Sequence, residues 1–220
     1  MMMMTRRPED CRLYAIVDTS YLGKRDAARV ASQMIEGGVD LIQLRAKDRT
    51  DEEAITLAHA ILNVTRRKGI PFIVNDHPHV AAVVGADGAH VGQDDMAVAE
   101  ARRILGPEGW VGKSTHSLQQ ALEAEKEGAD YIGVGPIFAT PTKPDDPPVG
   151  LDLVRQVASR VKIPFFCIGG IKLENASEVI SAGARRLVVV SGILQSPDLT
   201  EHCRRLKALF QSIFPNCPSY

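Results

Sequence analysis

Runs of apolar, β-branched residues alternate along this chain with stretches of helical period, and that alternation leaves few architectures open. The strand candidates are RLYAIVD (12–18), DLIQLR (40–45), PFIVND (71–76), GAHVG (88–92), WVGKS (110–114), YIGVG (131–135), PFFCIGG (164–170) and RLVVVSG (186–192). Between them lie helical segments such as RDAARVASQMIEGG, in which Ala27, Val30, Ala31, Met34 and Ile35 share one stripe and Gly37 and Gly38 end it. Ser117 and Gln120 read as a capping box ahead of Leu118, Ala121 and Leu122, with Gly128 closing that helix.

An internal echo supports the same reading. GGVDLIQLR, GADGAHVGQ, GADYIGVGP and GARRLVVVSG each run from a glycine helix stop into a strand, at intervals of about two βα units. Eight strands, each followed by a crossover, predict an α/β fold of one kind, a single closed (β/α)8 TIM barrel. An open doubly wound sheet would need a glycine-rich fingerprint after its first strand, and IVDTSYLGK has none. No linker or composition shift divides the chain, so residues 1–220 are expected to form one domain, with 1–11 as a poorly ordered N-terminal extension.

Composition narrows the partners. At 220 residues and 45% hydrophobic content the chain can bury a large core. Lys plus Arg (26) nearly balance Asp plus Glu (27), so no global field favours nucleic acid or an anionic membrane, and any anion site must be local. Cys11, Cys167, Cys203 and Cys217 are scattered without a C-x-x-C pair, which argues for reduced thiols in a cytoplasm. MMMMTRRPEDC lacks an apolar h-region, and no segment approaches the ~20 apolar residues of a membrane span.

In a barrel of this kind chemistry is done at the C-terminal ends of the strands. The second run exits through Gln43, Arg45 and Lys47, the third through Asn75 and Asp76, and the fourth through His90, Gln93, Asp94 and Asp95. The fifth exits through Ser114, Thr115 and His116, and the loop ATPTKPDDPPVG after the sixth carries Thr140, Thr142 and Lys143. The seventh and eighth end in Gly169-Gly170 and Ser191-Gly192. Taken singly, Arg45 and Lys47 read as solvated charges, Asp94 or Asp95 as a helix cap, and His90 as a core histidine. His77 and His79 have no metal-like partners in sequence and receive no role. Convergence on one rim favours a site.

The charges sort into a chemistry. Arg45, Lys47 and Lys143 suit a polyanion such as diphosphate, and Asp76 with Asp95 are hard oxygen ligands for Mg²⁺. Backbone N–H groups at Gly169-Gly170 and Ser191-Gly192, where a short helix opens, suit a second phosphate. Two phosphate sites imply two phosphorylated small-molecule ligands.

QLRAK (43–47), VND (74–76), GAHVGQDD (88–95), GKSTHS (112–117), GVGPIFATPTK (133–143), CIGGI (167–171) and VVVSGI (188–193) together resemble the thiamine phosphate synthase family. That family joins 4-amino-5-hydroxymethyl-2-methylpyrimidine diphosphate to 4-methyl-5-(2-hydroxyethyl)thiazole phosphate. The resemblance implies that Arg45, Lys47, Asn75 and Lys143 hold the diphosphate while Asp76 and Asp95 ligate one Mg²⁺. It places Gln43, His90 and Ser114 around the pyrimidine, with Ser114 also near the leaving group, so that Ser114, Lys143 and Arg45 carry the catalytic roles. Thr140, Thr142, Gly170, Val190 and Ser191 would receive the thiazole phosphate. The reaction it implies is dissociative, with the 140–148 loop, stiffened by Pro141, Pro144, Pro147 and Pro148, acting as a lid.

Lys113 departs from the family, where a small or apolar residue is expected. The related thiazole tautomerase shares the barrel but handles no diphosphate, and Arg45, Lys47, Asp76, Asp95 and Lys143 argue against it. A non-catalytic barrel binding a phosphometabolite is the other rival. A homo-oligomer is admissible on the sequence.

Overall fold

The computed structural model describes residues 6–140 and 146–213. Eight parallel strands close into a barrel in sequence order, the first pairing with both the second and the eighth. They are β1 (Leu13–Asp18), β2 (Leu41–Arg45), β3 (Phe72–Asn75), β4 (Gly88–Val91), β5 (Trp110–Thr115), β6 (Tyr131–Val134), β7 (Phe165–Cys167) and β8 (Leu187–Val189). The helices are α1 (Thr19–Leu22), α2 (Ala27–Glu36), α3 (Asp51–Lys68), α4 (Pro78–Val84), α5 (Val98–Leu105), α6 (Leu118–Lys126), α7 (Gly150–Arg160), α8 (Ala176–Ser181), α9 (Ser191–Leu194) and α10 (Leu199–Ile213). Closure excludes the doubly wound alternative.

Each strand is buried on two sides and feeds two cores. Odd and even residues alternate between the barrel interior and the helix layer. Tyr14, Leu41, Ile73, Tyr131, Phe166 and Val188 fill the interior, whereas Leu13, Ile42, Phe72, Val111, Ile132 and Leu187 meet the helices. The stripe predicted on α2 faces that outer core through Ala27, Val30, Ala31 and Met34, with Ile35 at its margin. The longest helix, α3, is stopped and started by local chemistry. Thr50 and Glu53 cap it reciprocally, its first turn is acidic, its last turn is basic, and Gly69 ends it in the left-handed conformation. The box expected at Ser117 is half formed: Ser117 Oγ accepts the Gln120 N–H, but the Gln120 side chain reaches one residue further back and accepts from the His116 N–H at 2.7 Å.

The internal echo has a physical cause at the N-terminal face. The aspartate in GVD, GAD and GAD precedes an even strand, and its carboxylate accepts a backbone N–H from the odd strand beside it. Asp40 takes the N–H groups of Arg12 and Leu13 at 2.8 and 2.9 Å, Asp87 that of Phe72 at 2.7 Å, and Asp130 that of Val111 at 2.6 Å. Three strand starts that have no partner are thereby satisfied. In the fourth copy Arg185 stands at the aspartate's position, and the next residue, Arg186, donates to the carbonyls of Pro8 and Glu9.

That contact corrects the expectation of a poorly ordered 1–11 segment for residues 6–11, while residues 1–5 lie outside the described residues. From residue 6 onward the extension is built into the barrel floor. Pro8–Asp10 form a 3-10 turn, Arg6 pairs with Asp40 at 3.0 Å, and Cys11 is fully buried among the interior residues. Burial raises the Cys11 thiol to about 12. The interior would otherwise open to water at its base, which explains why an apolar residue follows the polar ones here.

Small residues make room for the large ones above this floor. A Cβ on Gly112 would lie 2.2 Å from Tyr131 Cζ and 2.5 Å from His90 Nδ1. Gly112→Ala is therefore expected to lower stability by ~1–3 kcal/mol through overpacking. At ~2–4 °C per kcal/mol for a chain of this size, a thermal melt would register it, and an unchanged Tm would show that Tyr131 can move aside freely.

Candidate active site

The interior side chains stop short of the C-terminal rim and leave an open cavity of about 130 Å³. Its floor is aromatic and its hydrogen bonds run in one chain. Gln43 Nε2 donates to Tyr14 Oη, which lies 3.2 Å from Tyr131 Oη. Tyr131 Oη is 3.3 Å from His90 Nδ1, and His90 Nε2 is 2.9 Å from Ser114 Oγ. Tyr14, Tyr131 and Phe166 pack edge to face, with ring centroids 5.3 to 6.2 Å apart. Burial pushes both phenols well above their ordinary range, so they stay neutral and act as hydrogen-bond relays.

Strand register puts three expected residues on this chain. His90 pairs with Gly112 and with Asn75, and Ser114 pairs with Gly133. Gly112 and Gly133 clear the space that the His90 imidazole occupies, and Gly112 also makes room for the Tyr131 ring. His90 is thus a satisfied inner histidine, and one whose partners line the cavity. Tyr14 and Tyr131 were not identified from sequence. Parity could have found them, since Tyr14 points the same way as the strand-end Asp18, and Tyr131 the same way as Gly133 and Gly135.

The other side of the mouth is charged. Arg45 Nη1 meets Asp18 Oδ2 at 2.9 Å, and Lys47 Nζ meets Asp76 Oδ2 at 3.1 Å. Arg45 is largely withdrawn from solvent, whereas Lys47 stays half-exposed and is tied to the rim only through Asp76. Asp18 is 1% exposed, accepts from the Ser20 N–H and hydroxyl, and so fixes Arg45 from behind. It too was not identified from sequence, although it ends β1 as Arg45 ends β2, directly opposite in register.

Asp76 is the only non-glycine residue with positive φ (61°) among the described residues. Its N–H is held by the His90 carbonyl at 2.8 Å, and this left-handed turn carries the carboxylate toward β4. There it shares a hydrogen bond with Asp95. Burial, then Asp95, push the Asp76 carboxyl above the ordinary range, while Lys47 opposes them. Burial acts on Asp95 in the same direction, but the bond from Asp76, the Gly92 N–H at 2.7 Å and the charges of Lys47 and Lys113 leave its carboxyl low. A divalent cation relieves the crowding of two neighbouring carboxylates, so the donor set fits a hard metal such as Mg²⁺. Asp95 is not a helix cap, since α5 begins at Val98 without a side-chain cap.

Lys113 points away from the cavity. It is buried to 7% exposure, and its ammonium donates to the Gly92 carbonyl at 2.7 Å, which ties down the turn that carries Asp95. The third group of expected residues lies across the mouth. Thr140, Gly170, Val190 and Ser191 line the cavity, with Ser191 opening α9 as expected. Gly170 has φ 63°, and a Cβ there would sit 2.6 Å from the Ala139 carbonyl oxygen, so the chain needs glycine to bring these loops together. Thr142, Lys143 and most of the proposed lid fall at 141–145, outside the described residues.

Residues 13–193 match the family model described as thiamine monophosphate synthase. Thiamine-phosphate synthase of Shouchella clausii is 47% identical over 201 residues, covering 91% of this chain and 96% of that one. The Chloroflexus aurantiacus protein of the same name is 46% identical over 201 residues, covering 91% and 93%. The solved structure of thiamine phosphate pyrophosphorylase from Pyrococcus furiosus is 33% identical, superposes with a TM-score of 0.86, and covers 94% of this chain and 98% of its own. A closed barrel, a carboxylate pair beside two anchored cations and a matching sequence across nearly every strand lead to one assignment: the chain belongs to the thiamine monophosphate synthase family.

Proposed function

We propose that this chain joins 4-amino-5-hydroxymethyl-2-methylpyrimidine diphosphate to 4-methyl-5-(2-hydroxyethyl)thiazole phosphate, giving thiamine phosphate and diphosphate. The observation that carries this reading is the division of one cavity into an aromatic, hydrogen-bonding floor and a rim where Arg45 and Lys47 flank the Asp76–Asp95 pair. A flat heterocycle suits the first and a metal-bound diphosphate the second.

The roles are those the resemblance implies, and the position of each residue at the cavity supports them. Gln43, His90 and Ser114 hold the pyrimidine above Tyr14 and Tyr131, and Ser114 lies on the side of the departing group. Arg45, Lys47 and Asn75 bind the diphosphate, and Asp76 and Asp95 hold one Mg²⁺, which when bound offsets the charge of the leaving oxygens. Gly170, Val190, Ser191 and Thr140 receive the thiazole phosphate. Lys143 on the diphosphate and Thr142 on the thiazole phosphate rest on the resemblance alone.

The methylene C–O bond breaks with its electron pair going to diphosphate, and the thiazole nitrogen lone pair then forms the C–N bond. No proton needs to move. The chain's task is to orient two ligands and stabilise a departing anion, for which fixed charges suffice. Residues 1–220 are taken to act as one domain on small-molecule substrates, and the near-zero net charge gives no global field to draw in nucleic acid or an anionic membrane. No helix among the described residues is long and apolar enough to cross a membrane. The buried free thiols of Cys11, Cys167 and Cys203 suit a cytoplasmic setting.

The test is an assay of the purified chain with both substrates and Mg²⁺, following thiamine phosphate and diphosphate together. Equimolar release of the two products is expected. Isomerisation of a thiazole phosphate without condensation would assign the chain to the tautomerase reaction, and binding without turnover would make it a phosphometabolite-binding barrel.

A further inference from the structure

Outside the cavity the fold gathers three metal-ligating side chains that the reaction does not use. His79 Nε2 lies 2.9 Å from Asp51 Oδ2 and His77 Nδ1 lies 3.7 Å from Asp51 Oδ1. The two imidazoles stand nearly perpendicular, with centroids 5.5 Å apart, and one donor atom from each of the three residues lies within 4.8 Å of the others. Ligands at ~2.0–2.2 Å from a tetrahedral Zn²⁺ are separated by about 3.4 Å, so the observed spacings bracket what such an ion needs.

The three side chains are not occupied by helix capping. Thr50 and Glu53 cap α3, which leaves Asp51 to turn outward, and His77 at the start of α4 makes no side-chain cap bond. Pro78 separates the two histidines and starts α4. All three are partly exposed, so an ion can enter. Asp51 comes from 26 residues before His77, which is why the sequence offers the histidines no partner.

We propose that Asp51, His77 and His79 form a binding site for a borderline transition-metal dication such as Zn²⁺, separate in chemistry from the all-oxygen pair Asp76 and Asp95. Two imidazoles and one carboxylate favour such an ion over Mg²⁺. The site bridges the loop after β2, which carries Lys47, to the turn after β3, which carries Asp76. An ion held there fastens the two loops on which the charged rim depends.

Calorimetric titration of the full chain with Zn²⁺, in saturating Mg²⁺ and without a polyhistidine tag, tests this directly. One Zn²⁺ per chain is expected at micromolar free metal, with a rise in Tm. His79→Ala and His77→Ala should each weaken uptake by about tenfold or more. His79→Ala, half-exposed and outside the cavity, should leave Mg²⁺-dependent condensation unchanged when Zn²⁺ is absent. Uptake that is undiminished in both histidine variants, or that disappears instead in Asp95→Asn, would overturn the proposal, as would an absence of uptake by the unaltered chain.

Discussion

Asp76→Asn and Asp95→Asn are each expected to lower kcat/KM by about 10²- to 10³-fold at millimolar Mg²⁺, with partial recovery as Mg²⁺ is raised. Asparagine is the informative replacement at both positions. At Asp76 it tolerates the left-handed backbone that an alanine would strain, and at Asp95 its amide oxygen can still accept the Gly92 N–H. Each change then removes charge and leaves the turn. Because burial and Asp95 hold the Asp76 carboxyl above the ordinary range, protons compete with the metal there at a higher pH than at an ordinary carboxylate. The Mg²⁺ concentration for half-maximal rate should accordingly increase as pH falls toward that raised value. Wild-type rates with an unaltered Mg²⁺ requirement in both variants would remove the metal from these two residues.

A substrate carrying 2-trifluoromethyl in place of the pyrimidine 2-methyl is expected to turn over slower by orders of magnitude while binding nearly as well. The phenols of the cavity floor are kept protonated by burial, so they orient the ring as hydrogen-bonding groups without acting as bases. Stabilisation is concentrated at the rim, on the departing anion, so the cation left on the pyrimidine must rely on its own electronics. An electron-withdrawing substituent raises that barrier, and every ~1.4 kcal/mol costs a factor of ten. Measured by rapid quench, equal rates for the two substrates would favour direct displacement by the thiazole nitrogen and would require new roles for Arg45 and Lys47.

The strand ends were legible because a parallel barrel obliges each strand to finish on the same rim. Gln43, Arg45, Lys47, Asn75, Asp76, His90, Asp95 and Ser114 were found by that rule and do line one cavity. Residues deeper in the strands were not found. Tyr14 and Tyr131 read as ordinary core aromatics until register sets their hydroxyls 3.2 Å apart and in line with His90. Asp18 reads as a strand terminus until Arg45 arrives beside it from the neighbouring strand.

Charges next to one another in sequence proved a poor guide to their roles. Asp94 and Asp95 are adjacent, yet only Asp95 turns back over Gly92 and reaches Asp76. His77 and His79 acquire a partner only through the packing of α3 against α4. The N-terminal residues from Arg6 to Cys11 read as a poorly ordered extension, but Asp40 ahead of β2 and Arg186 ahead of β8 fasten them from the two strands that flank β1.

The sequence by itself determined the barrel, since the hydrophobic period, the glycine stops and the repeated Gly-x-Asp before even strands are local signals that act within one βα unit. It also determined which residue types reach the rim. Only the tertiary structure decided how those residues pair: Arg45 with Asp18, Lys47 and Asp95 with Asp76, Lys113 with the Gly92 carbonyl, and His90 with both Tyr131 and Ser114. The reason is range. A helix cap or strand period is fixed by neighbours a few residues away, whereas a carboxylate's charge state and a lysine's direction depend on burial and on partners from other strands, which exist only once the barrel has closed.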